Sequence, residues 1–299
     1  MMDLEIQELN SDVLGKKLGQ KLFSPKGSLL LGMGAEIKEF HYQKIKEVGY
    51  QSIYVLKDDY SDVLKSSGHL ISEKLRASAP LELKGIYRKL MSKDKISISN
   101  GKKELSSLVD TLIREVNIKM TNPPDIIDLK RQEDYLYQHA INVAAYSILI
   151  AQSVQYHQLK LFDVTLAALL CDFGMHYVDE EILYKPEPLD EKEIEEVRKH
   201  TILGFQYLGR NCFIKGLIAV VCLQHHERYD GSGYPKHMSG DDIHEYSRIV
   251  SIADFFDAYT SDRPYRRLHS IEEGIEYLKE PSGREFDPRI VRHFLSFFE

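Results

Sequence analysis

Apolar positions in this chain follow two different rules. Up to about residue 56 they come in short clusters: Val13 to Phe23 and Ser28 to Leu31 flank the turn Pro25-Lys26-Gly27 as in a hairpin. Ile37, Phe40, Ile45 and Val48 then share one helical face, Gly49 stops that helix, and Ser52-Ile53-Tyr54-Val55-Leu56 reads as a strand. The polar run Lys57 to Asp62 marks a boundary. From Val63 to about Met120 the pattern is helical but weakly amphipathic, interrupted by Pro80 and by the polar stretch Ser92 to Lys103, with a turn expected at Ser99-Asn100-Gly101. Pro123-Pro124 closes this region, because proline disfavours helix at its own site and at the residue before it.

Beyond that point the periodicity is helical almost throughout. Ile127 to Val154 forms one helix, and Leu161 to Asp172 is so continuously apolar that it must be central. Asp190 with Glu193 opens the helix leading to His200 in capping-box fashion, and an apolar helix from Ile214 ends at His225-His226. Tyr246 to Thr260 and Ile271 to Leu278 follow, and Asp287-Pro288 starts the last helix, with proline where its missing N–H costs nothing. The fold class is therefore mainly α. A helical domain over 126–299 is preceded by a small α/β unit over 1–60 and by connecting helices over 61–125, the latter a means of forming a homodimer.

Composition narrows the function. Of 299 residues 43% are hydrophobic, and the net charge of −7 argues against a nucleic-acid polymer or a membrane surface as partner. The start MMDLEIQELN has neither the basic flank nor the apolar run of a secretory signal, so the expected location is cytoplasmic. Three cysteines without a CxxC pair speak against a disulfide framework, and Cys212 and Cys222 read as core residues.

Three polar residues sit where apolar helices would want carbon: His139, Asp172 and Asp254. An unpaired carboxylate there is costly and needs a hydrogen-bonded partner, a cation or a metal. Taken singly, His139 and His200 read as satisfied core histidines, and Asp254 reads equally as an ion-pair partner of Arg248 or Arg263. Together with His200, His225 and His226 they point to a shared metal centre, with donors that suit Mn, Fe, Ni or Zn. The turn Asp230-Gly231-Ser232-Gly233-Tyr234-Pro235 beside the paired histidines lets backbone approach a ligand. His157, His176, His237, His244 and His269 lie in polar contexts and read as surface residues.

The order of these residues, with HHERYDGSGYP and then RIVSIADFFDAYTSDRPYR, resembles the HD-GYP domain over about residues 130–298. That resemblance implies a helical domain that holds two, sometimes three, divalent metals, iron or manganese, and hydrolyses cyclic di-GMP. By position His139, Asp172 and Asp254 match the ligands of one metal, and Asp172, as bridge and catalytic residue, matches the second with His200, His225 and His226. Gly233, Tyr234 and Pro235 match the naming motif, and Arg263 and Arg266 match positions that approach the substrate phosphates. The chain departs from the family at Cys171-Asp172-Phe173-Gly174-Met175, where the pattern is His-Asp-x-Gly-Lys, and at Tyr135, where some members have a third-metal glutamate. Cys171 reads either as a thiolate ligand, which would favour zinc or iron, or as a small buried thiol. Two functions follow: a cyclic di-GMP phosphodiesterase using a metal-activated water, or a degenerate module that receives cyclic di-GMP or docks signalling proteins through the GYP loop.

Overall fold

The computed structural model describes residues 4–19, 21–24, 28–50, 52–56, 70–116, 135–183, 185, 187–260, 269–280 and 284–298. The Pro25-Lys26-Gly27 turn, the Lys57 to Asp62 boundary, Pro123-Pro124, the start of the helix expected from Ile127, and both Arg263 and Arg266 lie outside them.

The first unit contains two small antiparallel sheets. Strand β1 (Leu4–Glu8) pairs with β4 (Ser52–Leu56), and β2 (Leu22–Phe23) pairs with β3 (Leu29–Leu31), with α1 (Glu39–Glu47) between β3 and β4 in the chain. The pairing of β1 was not anticipated, although Leu4 and Ile6 alternate with Glu5 and Gln7 at the strand period. Val13, Leu18, Leu22, Ile37, Ile45 and Ile53 form its core, and Gly49, at φ 93°, adopts the left-handed backbone that ends α1.

A second, larger core gathers residues from Leu70 to Leu295. Helices α2 (Glu73–Leu90) and α3 (Lys95–Glu115) contribute to it together with α4 (Tyr135–Ser153) and α5 (Gln158–Leu170). Two expectations fail here. Helix α2 runs through Pro80, and Ser99-Asn100-Gly101 is helical rather than a turn; the break falls at Met91 to Asp94 instead. Gly101 is there for contact: a Cβ on it would lie 3.0 Å from Lys89 Cβ and 3.3 Å from Leu90 Cδ2, so glycine lets α3 lie close against α2.

After α5 come a 3₁₀ turn (Phe173–Tyr177) and α6 (Glu180–Leu183), then α7 (Glu191–Arg198), α8 (His200–Arg210), α9 (Gly216–Gln224), α10 (Glu245–Thr260), α11 (Ile271–Lys279) and α12 (Pro288–Leu295). The capping boxes at Asp190/Glu193 and Ser270/Glu273 are both formed, and the Asp287 side chain accepts from Arg289 N at 2.9 Å. Helix α4 is buried on every side from His139 to Ala151, which makes it the centre against which α5, α10 and α12 pack. Among the described residues no helix is long and apolar enough to cross a membrane.

Candidate metal centre

Five elements converge on one buried point. Helix α4 brings His139, the end of α5 brings Asp172, α8 opens on His200, α9 ends into His225 and His226, and α10 brings Asp254. The convergence depends on Gly174. A Cβ on that residue would fall 1.9 Å from the His200 carbonyl oxygen, so only glycine allows the turn after Asp172 to lie on the start of α8.

Asp172 sits in the middle. Its Oδ1 lies 3.3 Å from His200 Nε2 and 3.4 Å from His225 Nε2, and its Oδ2 lies 3.5 Å from His139 Nε2. Asp254 Oδ1 is 2.9 Å from His139 Nε2, and its Oδ2 is 3.7 Å from His226 Nδ1. All the expected histidines and aspartates are thus brought together, as two sets that share Asp172: Asp172, His200, His225 and His226, and His139, Asp172 and Asp254.

The arrangement suits a cation better than a hydrogen-bonded core. Asp172 Oδ1 is buried beside two imidazole nitrogens yet makes no hydrogen bond of good geometry. Three of the rings are also pinned from behind. His200 Nδ1 lies 2.7 Å from the Val197 carbonyl, and His225 Nδ1 lies 3.0 Å from that of Cys222. His139 Nδ1 lies 2.6 Å from Asp257 Oδ2. Carbonyls and carboxylates only accept, so each Nδ1 carries the proton and each Nε2 faces inward; His139 Nε2 also meets a carboxylate, Asp254 Oδ1 at 2.9 Å, where a metal would take the place of a second proton.

Electrostatics separates the imidazoles: His139 and His225 face carboxylates that favour their charged form, whereas His200 and His226 are held neutral. Burial drives His139 toward the neutral form, but its bonds to Asp254 and Asp257 prevail and raise its pKa to about 10. Burial also opposes ionisation of Asp172 and Asp254; their contacts with His225 and His139 and the neighbouring imidazole charges prevail and hold both below the usual carboxylate range. Burial dominates at His200 and His226, whose pKa values fall, leaving neutral donors.

Asp257 and Asn142 were missed by sequence reasoning. Asp257 is buried, and its second oxygen accepts from Asn142 Nδ2 at 2.8 Å. The signal was available: each lies three residues beyond a recognised position, Asp254 and His139, and so on the same helical face. Asp254 is not the partner of Arg248, which pairs with Asp241 and Asp287.

The glycine turn forms one wall. Buried Glu227 accepts from Lys236 N at 2.7 Å and Met238 N at 2.9 Å, folding the loop back on the histidines. A Cβ on Gly233 would lie 2.3 Å from Arg228 N, so glycine is required there. The Tyr234 ring stacks on His226 at 4.8 Å and 24°, and Pro235 follows it half-buried. Cys171 belongs to neither set of donors. Its thiol points to the Ala168 carbonyl at 3.2 Å, and burial first, then the charge of Asp172, pushes its pKa well up. Tyr135 stacks parallel to His139 at 5.9 Å. His157 and His237 are exposed as expected, whereas His176, His244 and His269 are half-buried, His176 lying 2.9 Å from the Tyr137 hydroxyl and in ring contact with Tyr87 and Phe173.

Comparison with known proteins fits this geometry. The model of the HD domain family matches residues 121–290. A cyclic di-GMP phosphodiesterase of Pseudomonas aeruginosa is 34% identical over 188 residues, covering 62% of this chain and 45% of its own length. A cyclic di-GMP phosphodiesterase response regulator of Xanthomonas campestris pv. campestris is 38% identical over 145 residues, covering 48% of this chain and 38% of its own. The chain therefore spans less than half the length of these curated relatives. An HDG"Y"P protein from Bdellovibrio bacteriovorus shares the fold at a TM-score of 0.58 and 16% identity, over 98% of this chain and 99% of that one. HD domains are metal-dependent, and the clustered histidines and aspartates offer the donors such a domain needs. Matched over more than half its length, the chain belongs to the HD domain family.

Proposed function

We propose that the chain is a cyclic di-GMP phosphodiesterase in which His139, Asp172 and Asp254 hold one divalent metal and Asp172, His200, His225 and His226 a second. The observation that carries this reading is Asp172, a buried carboxylate shared by two donor sets and left without a good hydrogen bond. Bound metals would supply Lewis-acid activation of a water and charge neutralisation at the phosphodiester. The protein's own part is to fix the donors: Asp257 and the Val197 and Cys222 carbonyls set the imidazole tautomers, and Gly174 sets the reach of Asp172. Tyr234 and Pro235 wall the mouth, and Arg263 and Arg266, placed by resemblance alone, would meet phosphate oxygens. Imidazole and carboxylate donors suit Fe(II), Mn(II) or Zn(II), the resemblance favouring the first two, and the Cys171 thiol, turned to the Ala168 carbonyl, adds no soft donor. With a cytosolic nucleotide as substrate, the protein would work in the cytoplasm. A division at 1–60, 61–125 and 126–299 would leave the first unit to receive a signal.

The test is hydrolysis of cyclic di-GMP by anaerobically purified protein loaded with Fe(II) or Mn(II), with products separated by chromatography. Turnover above that of a His225→Ala/His226→Ala control supports the enzyme. One observation favours a second reading, a degenerate module: Cys171 and Met175 replace a histidine and a lysine. Tight binding of cyclic di-GMP with no turnover would establish it.

A further inference from the structure

A phosphodiester brings negative charge to a cluster that already holds Asp172, Asp254 and Asp257, so a cation at its mouth decides how well the ligand is retained. Met175 supplies none. Arg228 lies beside the histidines, but its guanidinium is occupied: it donates to Ser251 Oγ at 2.7 Å, and its Nε is 3.4 Å from Glu285 Oε2.

Arg198 is differently placed. It ends α7, two residues before His200, and its guanidinium carbon lies 5.0 Å from the centroid of the Tyr234 ring. Tyr234 in turn stacks on His226, whose ring is 5.1 Å from that of His200. Arg198, Tyr234 and His226 thus form a continuous run of contacts from the surface to the donors. Its ion pair with Glu195 Oε1, at 2.6 Å one turn back on the same helix, has side chains 46% and 64% exposed. A pair that open to water contributes little and is readily exchanged for a phosphate. The ring contact with Tyr234 anchors the guanidinium, and exchange of the Glu195 pair makes its N–H groups available to phosphate oxygens.

We infer that Arg198, presented by Tyr234, is a phosphate-binding cation at the mouth of the metal centre, beside any contribution from Arg263 and Arg266. This rests on the reading of a phosphodiester as the ligand and adds a contact to it. Arg198 takes the role of a substrate-binding residue, and Tyr234 that of its positioning residue.

The experiment compares the Mn(II)-loaded chain of residues 1–299 with its Arg198→Met and Arg198→Lys variants by phosphorus NMR relaxation. The probes are cyclic di-GMP and dimethyl phosphate, an inert phosphodiester without bases. Arg198→Met is expected to weaken both by about tenfold or more and to lower the salt dependence of binding, with Arg198→Lys between it and wild type. Metal content and circular dichroism should stay unchanged in both variants, because the side chain is half-exposed. Wild-type affinity for both probes in Arg198→Met overturns the inference. Wild-type protein that binds dimethyl phosphate but not cyclic di-GMP overturns the cyclic di-GMP reading and leaves Arg198 judged on the simple diester. Binding of neither probe by wild type overturns both.

Discussion

Asp257 Oδ2 lies 2.6 Å from His139 Nδ1, and this contact, made behind the cluster, determines which nitrogen of His139 faces it. An imidazole whose Nδ1 proton is held by a carboxylate presents Nε2 as a more basic donor. Asp257→Asn preserves volume but removes the charge and offers an amide that can turn its N–H toward the ring. Metal affinity at the set formed by His139, Asp172 and Asp254 is expected to fall about 10- to 100-fold, with the set containing His200, His225 and His226 less affected. Chelator competition followed by metal analysis checks this; unchanged affinity in Asp257→Asn would remove the orienting role.

Two glycines give opposite expectations. At Gly174 a Cβ meets the His200 carbonyl at 1.9 Å, which only movement of backbone can relieve, so Gly174→Ala should lose about 3 kcal/mol or more and its metal. At Gly101 the nearest atom is Lys89 Cβ at 3.0 Å, which a shift of a few tenths of an ångström between α2 and α3 would relieve. The gain of about 1 kcal/mol in helix propensity there offsets much of the crowding, so Gly101→Ala should stay within about 1 kcal/mol of wild type. Urea denaturation separates the two; a Gly174→Ala protein as stable as wild type would contradict the stated geometry.

How far the sequence disclosed this fold varies with the kind of signal. Most helices from α5 onward were legible because apolar runs and caps such as Asp190/Glu193 are local, whereas the short α6 and the separate α8 after His200 were not read. The donors were legible because a histidine or aspartate inside an apolar helix has few other reasons to be there. Gly101 misled because a Ser-Asn-Gly run has turn chemistry, whereas its role is set by α2, a contact that no local pattern contains. The strand pairing of Leu4–Glu8 with Ser52–Leu56 spans some fifty residues of chain and was invisible for the same reason. Asp257 was overlooked as one more polar residue next to an aromatic run, and its value emerges only from its distance to α4.

Glu227 adjoins the paired histidines but contributes to loop geometry instead of the donor sets, since both oxygens accept backbone N–H groups of the GYP turn. Glu227→Gln places an amide N–H against one of these donors and leaves it unsatisfied, a loss of about 1–3 kcal/mol. Metal content should remain near wild type, while affinity for cyclic di-GMP should fall because Tyr234 and Pro235 lose their support. Loss of metal in step with loss of ligand would instead mean that Glu227 acts on the donors.

Away from the cluster, buried Asp287 makes stability depend on pH. Burial raises its pKa, but the bonds from Arg289 and the charges of Arg248 and Arg289 prevail and hold it below the usual carboxylate value. A group depressed on folding adds stability above its unfolded pKa of about 3.9, and that contribution disappears as pH falls through the folded value. Asp287→Asn keeps a capping oxygen for α12 but has no proton to gain there. Wild type should therefore be the more stable at pH 7, and its advantage should shrink steadily below about pH 4. Arg248→Met should reduce the same advantage at neutral pH, because Arg248 Nη1 donates to Asp287 Oδ2 at 2.7 Å, with Arg289 retaining the carboxylate at 2.9 Å. Denaturation midpoints of the three proteins across pH 3 to 8 are the measurement; parallel wild-type and Asp287→Asn curves through the acid limb would show that the carboxylate's ionisation is not what α10 and α12 depend on.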